Sequence, residues 1–573
     1  MTFTYSVSAS DWLGIAPILV LVGMALVVML VDLVLPHEGE RSKHSGPANF
    51  AVLPIVACIG TVGAIVAAII LFFVDHPTRV FNSMLAADSG TLYADLIILT
   101  AGALGILLSP AYLKRLGQVH QGEYYALLLL AMTGMLLMAG ATSFLIVFVG
   151  LEMFSLALYI LCGFIAQRRT SQEAGMKYFL LSSFASAFLL YGIALIYAAT
   201  GSTFFIAIRN FIGQQHHAPL LLLVGMGLLS VGFAFKVSAV PFQSWTPDVY
   251  QGAPAPVTAF MSVGTKVAAL LAFVRVFGFV LLPVQGDWMP VVWAIAVLTI
   301  LGGNIMALGQ TNLKRMLAYS SVAHGGYLLI GVVVGGSLGA TAILFYLSCY
   351  LFMNLGAFGV VSTLERLDNS GYGSEDLRGL WYRRPVLAGL LAFFLLSLAG
   401  FPPMAGFAGK YYIFYAALQG GHPELLIIGI IASILGIYYY LRFIATMFME
   451  QREPALASTG TTPVAAPRTS TRIGTTPAPR PRPSSARTAT GALTTSSGGG
   501  TAGAVRPTTV SKSTTVVRPP VQVEAVAEQE VGGGLLSMSW LALGIAGLGT
   551  LVVGVLLPFW LPNLQQAASM LLR

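Results

Sequence analysis

The chain has 573 residues, of which 56% are hydrophobic and 9% charged, against roughly 45–50% and 25% in a soluble domain. That balance excludes a water-soluble fold and makes the bilayer the solvent of most of the chain. The net charge of +8 falls in loops and one linker, where membrane orientation and anionic lipid explain it and a nucleic-acid partner does not.

Windows of about 20 apolar residues bounded by polar or Gly/Pro signals predict transmembrane helices at 13–35, 51–74, 92–112, 124–141, 143–166, 175–199, 219–240, 255–282, 288–308, 316–335, 338–363, 386–418, 424–448 and 535–562. The expected fold is therefore all-α, a polytopic membrane protein of about 14 spans. The first window is too long for a signal-peptide core and has no basic flank or small-x-small cleavage pattern, so it is expected to stay as helix one. Cys58, Cys162 and Cys349 stand singly in apolar stretches and read as small core residues, not a disulfide framework or metal cluster.

If the spans alternate, Arg41, Lys43, Lys114, Arg115, Arg168, Arg169, Lys314, Arg315, Arg366, Arg378, Arg383 and Arg384 all fall on one side, leaving Arg79, Arg209 and Arg573 on the other. The positive-inside rule then makes the basic side cytoplasmic and puts both termini outside. Residues 454–534 are rich in Thr, Ser, Pro, Gly and Ala, with eight basic residues before the first acid, Glu524. They read as a disordered basic linker on the cytoplasmic side.

Two spans are irregular. The seventh runs through Lys236 into a stretch holding Pro241, Pro247, Pro254 and Pro256, and the twelfth holds Gly400, Pro402, Pro403, Gly406 and Gly409 just before Lys410. Interrupted segments five spans apart point to two inverted repeats with the working residues at the breaks. The organisation expected is helices 1–3 over 1–123, a first five-helix repeat over 124–282 and a second over 288–450. A linker over 451–534 and a last helix over 535–573 follow.

A charge at the bilayer centre costs roughly 2.5–3.5 kcal/mol on insertion scales, so each buried one needs a reason. Glu152 lies about nine residues into its window, roughly 14 Å at ~1.5 Å per residue. Lys266 is at a similar depth, and Lys236 and Lys410 adjoin the two breaks, where free carbonyls and water can solvate an ammonium. An inert buried ion pair is the plainer reading of Glu152 and Lys236. Lys266 and Lys410 lack an obvious acidic partner in their own repeat. Lys177, near a span end, reads equally as a snorkelling surface lysine. His324 is the only one of 8 histidines deep in a span, and reads either as a satisfied core residue or as a carrier between Lys266 and Lys410. Asp248 and Trp245, in the Pro-rich turn, read as structural. Lysine suits proton relay because burial lowers its pKa from about 10.4 and a nearby carboxylate raises it again. The distance between Glu152 and Lys236 would thus decide how firmly the lysine holds its proton. The chain has no haem-type histidine pair, cysteine cluster or nucleotide-binding fingerprint.

The segments GLEMFSLALYIL around Glu152, FKVSAVPFQSWTPDVYQGAPAPVTAF from Lys236, LKRMLAYSSVAHGGYLL around His324 and FPPMAGFAGKYY around Lys410 resemble the antiporter-like N-subunit family of bacterial NADH-quinone oxidoreductase, respiratory complex I. The likeness spans about residues 10–450 and the last helix. It implies that Glu152, Lys236, Lys266 and Lys410 carry protons. It also implies that FMN, iron–sulfur clusters and the quinone site belong to partner subunits, and that this chain sits with other membrane-arm subunits in the bacterial cytoplasmic membrane. Two positions depart from the family pattern: Gln243 stands where histidine is usual and Gln251 where glutamate is usual. A subunit of a multisubunit cation/proton antiporter and a purely structural membrane-arm subunit are the rival readings.

Overall fold

Twelve helices among the described residues are long and apolar enough to cross a bilayer, and two shorter apolar helices, Leu220–Lys236 and Pro385–Ala399, stand where the interrupted spans are expected. The computed structural model describes residues 8–35, 49–117, 121–215, 218–366, 370–450 and 533–572. The linker expected at 451–534 lies outside the described residues up to 532. In chain order the helices are α1 (Ala9–Gly14), α2 (Ala16–Val34), α3 (Asn49–Phe73), α4 (Ser89–Arg115), α5 (Gly122–Ala139), α6 (Phe144–Cys162) and α7 (Arg169–Thr200). Next come α8 (Phe205–Gly213), α9 (Leu220–Lys236), α10 (Trp245–Gly252), α11 (Ala255–Arg275), α12 (Gln285–Leu308), α13 (Leu313–Val334) and α14 (Gly336–Leu364). The last are α15 (Ser374–Leu377), α16 (Leu380–Arg383), α17 (Pro385–Ala399), α18 (Ala405–Gln419), α19 (Pro423–Phe448) and α20 (Gly533–Met570). The only strands among the described residues, β1 (Arg79–Val80) and β2 (Leu85–Ala86), form a two-residue antiparallel hairpin before α4.

Helix ends run past the hydropathy windows because hydropathy reads membrane thickness, whereas caps decide where a helix stops. Asp88 starts α4 three residues before its window by accepting the N–H of Thr91, and Gly201 ends α7 in the left-handed conformation that glycine adopts without strain. The window at 255–282 divides: α11 ends at Arg275, and a π-helical turn, Val276–Val280, follows.

Burial sorts the helices. The span Ala255–Val280 is wholly buried, and α14 and α13 nearly so, while α2, α3 and α19 bury only about a third of their residues. Their outer faces carry exposed apolar side chains such as Leu33, Phe73 and Ile434, as helices facing acyl chains must. The lysine-bearing α11 therefore lies at the centre of the bundle.

Both breaks are real interruptions. α9 stops at Lys236, and the chain passes Ser238 (φ 63°) and a cis Val240–Pro241 peptide before α10. α17 stops at Ala399, Gly400 turns at φ 93°, and a cis Pro402–Pro403 peptide precedes α18. α20 packs against this second break so closely that a Cβ on Gly554 would stand 2.7 Å from the backbone nitrogen of Ala405.

Candidate functional site

The ammonium groups of Lys236, Lys266 and Lys410 sit in the core, with the residues 2%, 1% and 7% exposed, so none of the three reaches solvent by snorkelling. Lys236, the last residue of α9, donates to the hydroxyls of Ser155 on α6 and Ser182 on α7, both at 2.7 Å, and lies 5.3 Å from the Phe154 ring centre. Lys266, midway along α11, donates to Ser321 Oγ at 2.5 Å and to the Ser321 carbonyl, and Tyr350 donates to the same Oγ at 2.9 Å. Lys410 reaches back from α18 to the Ala399 carbonyl at 3.0 Å, a group that the helix break leaves without its helical donor. Its ammonium also lies 5.5 Å from the Tyr327 ring centre.

None of the three has a carboxylate within 4 Å among the described residues. Glu152 is partly buried on α6, one turn before Ser155, and its Oε1 is buried without a hydrogen-bond partner among the described residues.

α13 joins the other two lysines. Ser321, His324 and Tyr327 follow at three-residue spacing and so line one stripe, with Lys266 bonded to the first and Lys410 over the last. Between them, His324 Nδ1 pairs with the Tyr346 hydroxyl at 2.6 Å and Nε2 with that of Tyr440 at 3.3 Å. Tyr440 continues to Ser320, and Tyr327 meets Asn304 at 3.3 Å and Ser433 at 3.1 Å.

Lys177 does not join this row. Its side chain is 40% exposed and bonds Asp248 at 2.8 Å and Glu173 at 2.7 Å. Asp248 also accepts from Arg315 at 2.7 Å, so the α10 segment is clasped between α7 and α13. Partial burial pushes the Asp248 carboxyl up, but the bonds from Lys177 and Arg315 outweigh it and hold the group below its ordinary value. Gln251 takes part in the clasp by accepting from Arg315 at 3.1 Å. Trp245 donates to the Phe235 carbonyl at 3.0 Å and stacks on Tyr178.

Charge counting by loops missed a second buried group. Arg168, Lys314 and Glu365, read from sequence as loop charges or not at all, meet in the interior. Arg168 bonds Glu365 at 2.6 Å, and Lys314 approaches Glu365 at 3.4 Å and donates to the Ala253 carbonyl at 2.8 Å. Each sits at a window edge, where hydropathy cannot tell a solvated charge from one that a folded loop covers. Among the described residues no cluster of His, Cys, Asp and Glu could hold a metal.

The family described as NADH:quinone oxidoreductase/Mrp antiporter, TM, matches residues 141–436. A relative from Chloroflexus aggregans named NADH-quinone oxidoreductase subunit N is 44% identical over 444 residues, 77% of this chain and 88% of its own length. One from Trichlorobacter lovleyi with the same name is 43% identical over 437 residues, covering 76% of this chain and 87% of that one. Among solved structures, a chain of respiratory complex I from Thermus thermophilus with bound aureothin is 32% identical, with a TM-score of 0.62 over 76% of this chain and 91% of that one. A chain of the Mrp complex from a Dietzia species superposes at a TM-score of 0.71 over 99% and 98% of the two lengths at 20% identity, a likeness of fold alone.

Proposed function

Since the chain belongs to the NADH:quinone oxidoreductase/Mrp antiporter membrane-subunit family and, within it, is a relative of the N subunits, we propose that it is the proton-translocating N-type subunit of a bacterial NADH-quinone oxidoreductase. Partner subunits carry FMN, the iron–sulfur clusters and the quinone site, and electron transfer there drives proton movement here. The observation that carries this reading is the solvation of Lys236, Lys266 and Lys410 by neutral hydroxyls, carbonyls and rings. A buried ammonium paired with a carboxylate is fixed, because losing its proton strands the counter-charge. One held by neutral oxygens becomes a neutral amine among neutral partners. It can load and unload.

In this reading Glu152 controls Lys236, and protons pass by Lys266 and the His324 stripe to Lys410, with water bridging the gaps. A proton crossing about 100 mV needs about 2.3 kcal/mol, against about 1.4 kcal/mol per pKa unit, so a swing of roughly two units suffices at each lysine. The two breaks, each beside a row lysine, support two inverted five-helix repeats over 124–282 and 288–450. The face carrying the Arg168 and Lys314 loops is cytoplasmic and the termini are outside. Lys177 serves the clasp around Asp248 and carries no protons.

Purification from native membrane tests the whole: flavin and iron–sulfur subunits that co-purify support it, and cation-antiporter subunits in their place overturn it. In the purified complex reconstituted into vesicles, Lys266→Ala should assemble and lose pumping. Undiminished proton uptake per electron would remove the row from the mechanism.

A further inference from the structure

The lysine row and the Arg168–Glu365–Lys314 group leave unexplained a third set of buried charges, near the face opposite the basic loops. Asp88 has both oxygens engaged. Its Oδ1 accepts from the Thr91 N–H at 2.8 Å and hydroxyl at 3.0 Å, and its Oδ2 accepts from Arg275 at 2.7 Å. Arg275 also donates to Thr91 Oγ1 at 2.6 Å. Asp95 stands two turns further along the same face of α4. It is 6% exposed, and its Oδ1 is buried with no hydrogen-bond partner among the described residues. An unsatisfied buried carboxyl oxygen is costly and asks for a ligand.

Its depth follows from the helix register. Arg275 meets Asp88, and a Cβ on Gly105 would stand 3.2 Å from Phe260, so α4 and α11 run antiparallel side by side. Asp95 is then level with about residue 269 of α11, roughly 3–6 Å along the axis from Lys266 at ~1.5 Å per residue. Toward the opposite face, Arg275 borders a cavity of about 40 Å³ whose polar lining is Arg79, Ser83, Thr142 and Arg275 itself, room enough for water. The π-helical turn that begins directly after Arg275 is a feature that recurs at functional sites.

We propose that Asp95 is a further proton-carrying residue of this subunit, exchanging protons between the level of Lys266 and water in the cavity beside Arg275. The proposal rests on the proton-translocating reading above. An N–H bond breaks at a lysine of the row and, through water, an O–H bond forms at Asp95 Oδ1. That bond then breaks, the proton passes to cavity water, and the carboxylate is restored. Asp88 is a positioning residue, because Arg275 and Thr91 occupy both of its oxygens.

The test uses the intact complex in vesicles, comparing Asp95→Asn, Asp95→Glu and Lys266→Ala by proton uptake per electron and normalising to assembled complex. Asp95→Asn should lose as much pumping as Lys266→Ala, and Asp95→Glu, which keeps a titratable oxygen, should recover most of it. An assembled Asp95→Asn complex that pumps normally while Lys266→Ala does not overturns this proposal alone; normal pumping in both overturns the lysine row with it. Should the Asn variant not accumulate, infrared difference spectra of turnover decide. A carboxyl band that moves between the parent and Asp95→Glu supports the assignment, and spectra that coincide refute it.

Discussion

Lys236 is bonded to Ser155, one turn along α6 from Glu152, and not to Glu152 itself. The serine hydroxyl holds the ammonium at 2.7 Å while a carboxylate oxygen nearby is left unbonded. The two groups are thus unpaired in this arrangement, with a serine hydroxyl where a carboxylate oxygen would close the pair.

Glu152 and Lys236 should therefore behave as one unit in mutagenesis. Glu152→Gln is expected to impair pumping nearly as much as Lys236→Ala, with the double variant little worse than either, and Glu152→Asp should retain part of the activity. A double-mutant cycle on proton uptake measures the coupling. Strictly additive defects would show that the two act apart.

Lys410 should respond to charge chemistry and not to size. Its one hydrogen bond among the described residues is to the Ala399 carbonyl, so Lys410→Ala removes a donor at a break without exposing a counter-charge, and the complex should assemble. Pumping through this chain should fall to background. Lys410→Arg should fail equally, because a guanidinium stays charged at any working pH and cannot pass a proton on. Recovery of pumping in the arginine variant would make the group an electrostatic anchor.

The Arg168–Glu365–Lys314 group should behave in the contrary way. Glu365→Ala leaves two buried cations without their carboxylate, at a cost of about 3–5 kcal/mol. The amount of assembled complex and its thermal stability should drop, while the complex that does assemble should pump at the parental ratio. A pumping defect at normal assembly would move these residues into the proton path.

These contrasts show what the sequence could reveal. Glu152, Lys236, Lys266 and Lys410 were legible because a charge inside an apolar window is conspicuous, and the breaks because proline and glycine interrupt hydropathy. Arg168 and Lys314 look like loop charges in the sequence, since nothing local shows that Glu365 and the loops fold over them. Asp95 and Arg275 lie inside the windows at 92–112 and 255–282 and could have been found by the same census of buried charge. Their pairing with Asp88 and with the cavity needs the antiparallel register of α4 and α11, which only the fold supplies. The tyrosine cage of His324 was equally hidden, because Tyr346 and Tyr440 come from α14 and α19.

The Asp248 clasp carries a pH dependence. A carboxyl held below its unfolded value of about 3.9 contributes stability that is fully present above that value and is lost as pH falls through the folded value. Amide exchange in α10 should accelerate below about pH 4, beyond the intrinsic rate change, in the parent but not in Asp248→Asn, which is already loosened at neutral pH. Equal pH profiles for the two would show that the carboxyl does not hold α10.

His324 offers the sharpest separation between a core residue and a carrier. Its ring sits on the stripe between Ser321, which holds Lys266, and Tyr327, under Lys410, and each nitrogen meets a tyrosine hydroxyl. A satisfied core histidine needs only those hydrogen bonds, which a glutamine side chain can partly replace with one donor and one acceptor. A carrier must also take up and release a proton, which glutamine cannot do. If the stripe conducts, His324→Gln should assemble normally and slow pumping by roughly 10²-fold, the scale on which proton-transfer groups act. Tyr346→Phe, which removes a partner of Nδ1 but leaves the ring able to titrate, should cost much less. Initial rates of proton uptake in vesicles, at matched amounts of complex, distinguish the two. A His324→Gln complex that pumps at the parental rate would make this histidine packing and leave the step from Lys266 to Lys410 to water alone.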